Sequence, residues 1–178
     1  INVNLILLPS TITRFIPLLC IAVGLAIPFR ARVDNIGAEG QYVIGMLAAA
    51  GTAYMFPDLS PSILIPLMFI NGFILGAIWA LPVVFFRARG GFQGADVVVS
   101  FLMVFPAIYL MEYLVSGPWR DPETGFTYSS MISDNARIPT LFDTPIYSSI
   151  FLVLLITFLA YYYLFMTKDG IPKTTLGY

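Results

Sequence analysis

Charged residues are scarce in this sequence. Only 11% of its 178 residues are Asp, Glu, Lys or Arg, whereas 58% are hydrophobic. A soluble domain carries about one-quarter charged residues because its surface faces water, so most of this surface is expected to face something other than water. Disordered chains are poor in apolar residues, and the composition therefore excludes disorder. The net charge of −1 offers no basic surface for nucleic acid.

Histidine is absent and cysteine occurs once, as Cys20. Without histidine, the chain lacks the commonest general base and the commonest metal ligand, so we predict no metal site. A single cysteine cannot form a disulfide within the chain. The sequence also lacks G-x-x-x-x-G-K-[ST], H-E-x-x-H and G-x-S-x-G, which cradle ATP phosphates, bind catalytic zinc and present a nucleophilic serine. A membrane-embedded enzyme is therefore disfavoured, and the chain is predicted to be non-catalytic.

Long apolar runs dominate the sequence instead. A bilayer core about 30 Å thick requires about 20 mainly apolar residues for each spanning helix, and five stretches meet this requirement. They predict an all-α fold, a polytopic helical bundle in the membrane. The predicted spans are Phe15–Phe29 (lengthened by Leu5–Leu8 if the helix begins earlier), Gln41–Phe56, Ile63–Phe86, Val97–Val115 and Tyr147–Met166.

The distribution of positive charge predicts the orientation, because Lys and Arg are retained on the cytoplasmic side. If the helices alternate, six basic residues fall on one side and three on the other. We therefore expect residues 116–146 outside the cell and the C-terminal end in the cytoplasm. The predicted inner residues are Arg30, Arg32, Arg87, Arg89, Lys168 and Lys173, and the outer ones are Arg14, Arg120 and Arg137.

Small residues within the spans predict close helix packing. Without water to drive association, small side chains four residues apart let helix backbones approach each other. Asn71 lies beside one of these residues, and we expect it to hydrogen-bond between helices or, alternatively, to line a solute pathway. The small positions are Gly45, Ala49 and Ala53 in the second span and Gly72 with Gly76 in the third.

Prolines predict kinks in the spans, because a proline lacks the N–H that a helix interior uses. Pro66 and Pro82 lie in the third span, and Pro106 lies in the fourth.

The segment between the first two spans, Asn35-Ile36-Gly37-Ala38-Glu39-Gly40-Gln41, combines two glycines with a carboxylate and two amides. Glycine frees the backbone from helix geometry, and broken helices place their ends at transport sites in membrane carriers. One hypothesis is therefore a Gly-rich helix break beside the solute pathway. The alternative is an ordinary cytoplasmic turn with Asn35 as the N-cap of the second helix.

This seven-residue segment resembles the signature of ABC-transporter permeases of the ribose and branched-chain amino acid superfamily. The closest similarity is to the branch that works with basic membrane lipoprotein-type binding proteins on nucleosides and related solutes. The resemblance continues at Gly76–Ala80, Gly117–Pro122 and Thr174–Tyr178, so it covers nearly the whole chain. It implies one transmembrane permease domain over residues 1–178, the N-terminal half of a longer permease.

The sequence departs from the family pattern at the fourth span. Family members usually read Asn-Glu-Val-Ile there, with another Asn about nine residues on, whereas this chain has Ala95-Asp96-Val97-Val98 and then Val104. The acid is kept as Asp96, but both amides are lost, which puts a nucleoside substrate in doubt. Asp96 follows Gly94, so it can either stabilise a helix N-terminus or lie on the pathway. Glu112 is expected at the membrane interface rather than on the pathway.

The resemblance implies an importer for a small polar solute, with a pathway near Asn35, Gly37, Glu39, Gly40 and Gln41. It also implies partners: cytoplasmic ATP-binding subunits, a second permease subunit and an extracytoplasmic solute-binding lipoprotein. ATP and Mg²⁺ would bind to the ATPase subunit, and this chain would hold no cofactor. The alternative is a secondary transporter or channel that works without ATP, which would need carboxylates deep in the spans.

Overall fold

The computed structural model describes residues 3–89, 94–123, 126–141 and 146–167. All regular elements among them are helical, which confirms the predicted all-α fold. Seven α-helices follow one another along the chain, and a 3₁₀ turn, Asp134–Ala136, lies between the last two. The helices are α1 (Val3–Arg30), α2 (Ala38–Met55), α3 (Pro61–Trp79), α4 (Leu81–Ala88), α5 (Ala95–Leu102), α6 (Val104–Ser116) and α7 (Ser149–Met166).

Four helical stretches are long and apolar enough to cross a membrane: Leu8–Arg30, Pro61–Ala88, Ala95–Ser116 and Ser149–Met166. They coincide with four of the five predicted spans. The fifth predicted span falls on α2, whose first turn carries Glu39 and Gln41 and so lowers its mean hydropathy. The predicted cytoplasmic end, 168–178, lies outside the described residues.

Most apolar side chains of these stretches point away from the chain. No more than 17% of the residues in any of the four stretches are buried within it. Phe73 is 78% exposed and Phe158 is 63% exposed. A soluble protein rarely exposes contiguous apolar surface on this scale, whereas lipid or neighbouring helices cover such surfaces in a membrane. The chain is therefore a multi-pass membrane protein.

Two of the spans are interrupted for one residue. Ala80 separates α3 from α4, and Met103 separates α5 from α6. Each interruption lies in the turn that precedes a proline, Pro82 or Pro106, where the ring displaces the carbonyl four residues earlier. Pro66 lies inside α3 without an interruption.

The described chain divides into two compact units. The first comprises residues 1–34 and 138–178, in which α1 packs against α7. Arg30 at the end of α1 places its guanidinium 4.9 Å from the ring centre of Phe165. A cation over an aromatic face is attractive, so this contact helps to hold the two helix ends together.

The second unit, residues 35–137, contains α2 to α6 and the signature segment Asn35–Gln41. Its core is formed where α2 meets α6, with Ile44, Leu47 and Ala107 among the buried residues. A second buried cluster joins Ala53, Leu64 and Ala136, so the 3₁₀ turn packs against α2 and α3.

The segment after α6 is attached to the C-terminal end of α2. Trp119 packs against Tyr54, with 5.2 Å between ring centres, and the Tyr54 hydroxyl donates a hydrogen bond to the Ser130 carbonyl. Asn135 donates to the Pro57 carbonyl at 3.3 Å. The described residues between Trp119 and Asn135, which belong to the predicted outer segment, therefore form an ordered cap on this end of α2.

Candidate functional site

The signature segment lies in direct backbone contact with α5. A Cβ placed on Gly37 would lie 2.1 Å from the carbonyl oxygen of Ser100, so only glycine fits there. The N–H of Ile36 donates to Ser100 Oγ at 3.1 Å, and that hydroxyl donates to the Val97 carbonyl. Ser100, which is 1% exposed, thus joins the start of α2 to α5.

Gly40, one turn further along, touches the interruption between α5 and α6. A Cβ at Gly40 would lie 3.0 Å from the Met103 carbonyl oxygen and 3.3 Å from Nε1 of Trp79. The Trp79 indole N–H itself donates to the Met103 carbonyl at 3.2 Å. The first turn of α2 and the two interrupted spans therefore meet at one place, which we call the junction: Asn35–Gln41, Trp79, Ser100, Met103 and Val104.

Asn35 and Gln41 close the signature segment on itself. The Asn35 amide accepts a hydrogen bond from the N–H of Gly37 at 3.1 Å and donates to Gln41 Oε1 at 3.3 Å. The N-cap of α2 is Gly37, without a side-chain capping bond, so the expectation that Asn35 is the N-cap is wrong. The Asn35 side chain satisfies an N–H two residues on, in an Asx turn.

Glu39 is an exposed residue of the signature segment, as is Ile36. Glu39 lies in the first turn of α2. The helix dipole favours a carboxylate near a helix N-terminus, so the charge of Glu39 is stabilised there although the side chain is exposed. Glu39 thus offers a charged group at the surface of the junction, whereas Gly37 and Gly40 are buried in it.

The small residues of α2 and α3 pair with each other. A Cβ on Gly45 would lie 3.1 Å from the Gly72 carbonyl oxygen, and a Cβ on Gly72 would lie 3.0 Å from that of Gly45. Ala49 approaches Gly72, Gly76 approaches the Gln41 carbonyl oxygen, and Ala53 is buried in the second cluster. The two helices thus cross with their backbones nearly touching.

Asn71 lies beside this crossing and donates to Thr52 Oγ1 at 2.9 Å. The Thr52 hydroxyl in turn donates to the Ala48 carbonyl at 2.8 Å. The pair lines a partly open groove of about 360 Å³ between α2 and α3, whose other walls are apolar. Asn71 therefore makes the expected bond between helices and also faces this groove.

Asp96 is buried, with 3% of its side chain exposed. It lies in the first turn of α5, after Gly94 in left-handed conformation, and its carboxylate is 3.3 Å from the Arg87 guanidinium. The pair connects the end of α4 to the start of α5. This geometry favours a positioning role for Asp96 over direct contact with a solute. Glu112 is exposed on α6.

The structure adds residues that the sequence did not indicate. Ser100 and Met103 belong to apolar, helical runs and carry no motif, and Arg87 was identified only by its charge. Trp79 stands in one of the segments that resemble the family, although nothing in its neighbourhood indicated a hydrogen bond to α6. The junction thus consists of a recognisable glycine segment and partners that only the tertiary structure brings to it.

The family described as branched-chain amino acid transport system / permease component matches residues 7–173. The chain belongs to this family of membrane permeases.

Individual relatives agree with this assignment. The chain is 34% identical over 134 residues to a glucose ABC transporter permease protein of Haloferax volcanii, covering 75% of this chain and 34% of the relative. It is 30% identical over 155 residues to a guanosine ABC transporter permease protein of Bacillus subtilis, covering 85% and 42%. A nucleoside ABC transporter permease protein of Lactococcus lactis is 25% identical over 176 residues, covering 95% and 46%. The chain thus spans a third to about half the length of these relatives, and no solved structure matches it at a comparable level.

Proposed function

We propose that this chain forms part of the membrane-spanning permease subunit of an ATP-driven ABC importer for a small polar solute, a nucleoside or a sugar-like molecule. The observation that carries the proposal is the junction. A polar signature segment is fixed by backbone contact to two interrupted spans in a chain of the permease family. Irregular backbone at membrane depth is tolerated where it is buried in protein or lines a cavity.

The solute pathway would run beside the junction and along the groove between α2 and α3. Glu39 supplies an exposed carboxylate at the start of α2, and Asn71 supplies an amide within an otherwise apolar groove. Asn35, Gln41, Gly37 and Gly40 hold the segment in place through their contacts with each other and with the neighbouring helices. Hydrogen-bonding groups on an apolar background suit a hydroxyl-rich or heterocyclic solute.

The importer would need partners that supply energy and solute. ATP and Mg²⁺ would bind to cytoplasmic ATPase subunits, a second permease subunit would complete the pathway, and an extracytoplasmic lipoprotein would deliver the solute. This chain would carry out no covalent chemistry. Relatives whose names state ABC transporter permease function support this division of roles.

Uptake by the assembled transporter is expected to depend on ATP. In proteoliposomes that contain the full-length subunit with its partner permease, its ATPase and its solute-binding lipoprotein, uptake of radiolabelled guanosine or glucose should need internal Mg-ATP and should survive an ionophore that collapses ion gradients. A variant ATPase that cannot hydrolyse ATP serves as the control. Uptake that follows an ion gradient without ATP would instead support the secondary transporter. Among the described residues Asp96 is the one buried carboxylate, which argues against that outcome.

The cap on α2 is expected to lie outside the cell. Met131 in the cap is 84% exposed, and Ala88 at the end of α4 is also exposed, so a cysteine at either place is accessible on one side of the membrane. In a Cys20→Ser background, an impermeant thiol reagent added to whole cells should label Met131→Cys and leave Ala88→Cys unlabelled until the cells are opened. The reverse pattern would contradict the orientation that the positive charges predict.

A further inference from the structure

Helices α4 and α5 are short segments attached to longer helices through single non-helical residues. α4 follows α3 after Ala80, and α5 precedes α6 across Met103. Both interruptions have a covalent cause in the proline that follows, because a proline removes one hydrogen bond from the helix ladder. Bending at these two residues therefore costs less than bending an intact helix.

The two short helices are bound to each other. They are in contact, and Arg87 at the end of α4 lies 3.3 Å from Asp96 at the start of α5. Because the Asp96 carboxylate is buried, separating the helices would break an ion pair that solvent screens poorly. α4 and α5 are thus stabilised as one body.

The two interruptions are bound directly to each other as well. The Trp79 indole N–H, one residue before Ala80, donates to the carbonyl of Met103 at 3.2 Å. Gly40 of α2 lies against the same two groups, so the bond is formed at the junction. A single neutral hydrogen bond is strong enough to favour one geometry and weak enough to be broken in a functional cycle.

We propose that α4 and α5 move as one arm about Ala80 and Met103, and that the Trp79–Met103 hydrogen bond is the latch that holds the arm in the observed position. The role of this movement in solute transfer rests on the proposed function, because a permease must alternate between two packed arrangements. The latch itself depends only on the contacts described above. Trp79 is a positioning residue and makes no contact with the solute in this proposal.

Distances between spin labels test the arm. In the full-length subunit with Cys20 replaced by serine, one label at Met55→Cys on α2 and one at Ala88→Cys on α4 report the position of the arm. Labels at Met55→Cys and Phe73→Cys, both on helices outside the arm and both highly exposed, form the reference pair. Trp79→Phe keeps an aromatic ring and removes the N–H. Trp119→Phe makes the same change in the cap and is the matched control.

Trp79→Phe should raise a second population of the 55–88 distance about five-fold, the change expected from loss of one hydrogen bond. The 55–73 distance should stay the same, and Trp119→Phe should leave both distances unchanged. In the assembled wild-type transporter, ATP with vanadate should raise the same second population.

Two results would contradict the latch, and a third would support the latch but contradict its coupling to ATP. An equal effect of Trp79→Phe and Trp119→Phe would overturn the latch, and so would a change of both distances together, because the whole unit would then have loosened. A shift with Trp79→Phe but none with ATP and vanadate would support the latch and count against ATP coupling in the proposed function.

Discussion

Replacing Gly37 with alanine is expected to abolish transport and to lower the yield of folded protein sharply. The added methyl group would lie 2.1 Å from the Ser100 carbonyl oxygen, 2.6 Å from its carbonyl carbon and 3.0 Å from its Cα. All three atoms are backbone, so no change of rotamer relieves the clash. Gly37 has φ −86° and ψ 17°, which alanine adopts without strain. The whole effect therefore reports on contact, and we expect a loss of stability of about 3 kcal/mol or more, the upper end for overpacking.

Two other glycines provide graded controls for this substitution. A Cβ on Gly94 meets nothing within 4 Å, but Gly94 has φ +88°, so Gly94→Ala should cost only about 1–2 kcal/mol of backbone strain. A Cβ on Gly24 also meets nothing, and its φ is ordinary, so Gly24→Ala in the helix should be neutral or slightly stabilising. Thermal stability of the three variants in detergent gives the ranking. Equal behaviour of Gly37→Ala and Gly24→Ala would show that α2 and α5 do not touch at this point.

The sequence predicted the parts of the fold that depend on one-dimensional patterns. A span needs a long apolar run, so the predicted span Tyr147–Met166 identifies α7 (Ser149–Met166) without any knowledge of its neighbours. Close packing of helices at Gly45 and Gly72 could be predicted, because small residues four positions apart indicate close approach of helix backbones. Which helix each would contact could not be predicted. The position of a kink was approximate, since Pro106 marks the turn in which Met103 interrupts the helix.

The contacts of the junction could not be predicted, because each joins residues far apart in sequence through backbone atoms. Every residue has a carbonyl oxygen, so the sequence does not indicate that Met103 accepts the hydrogen bond of Trp79. Ser100 resembles any small residue in a helix, yet its hydroxyl accepts the N–H of Ile36, 64 positions away. Asn35 misled for a similar reason: an amide beside a helix start can satisfy either its own turn or the helix.

Replacing Arg87 with alanine is expected to destabilise the second unit more than replacing Arg137, although Arg137 lies closer to its own ion-pair partner. Arg87 lies 3.3 Å from Asp96, and the side chains are 47% and 3% exposed. Arg137 lies nearer to Asp134, at 3.0 Å, but those side chains are 53% and 89% exposed. Distance alone would rank the Arg137 pair as the stronger. Burial reverses the ranking, because a desolvated carboxylate that loses its cation is costly, whereas water screens an exposed pair.

The measurement is the midpoint of thermal unfolding of Arg87→Ala and Arg137→Ala in the full-length subunit, each compared with its acidic partner's alanine variant. Arg87→Ala should cost about 1–3 kcal/mol, below the full penalty of a buried pair because the guanidinium is half exposed and the first turn of α5 also stabilises Asp96. Arg137→Ala should cost less than about 1 kcal/mol. The double variant Arg87→Ala/Asp96→Ala should recover part of the loss, since no buried charge then lacks its cation. If Arg87→Ala and Arg137→Ala have equal midpoints, the ion pair does not bind α4 to α5, and the arm would have to be held by apolar packing alone.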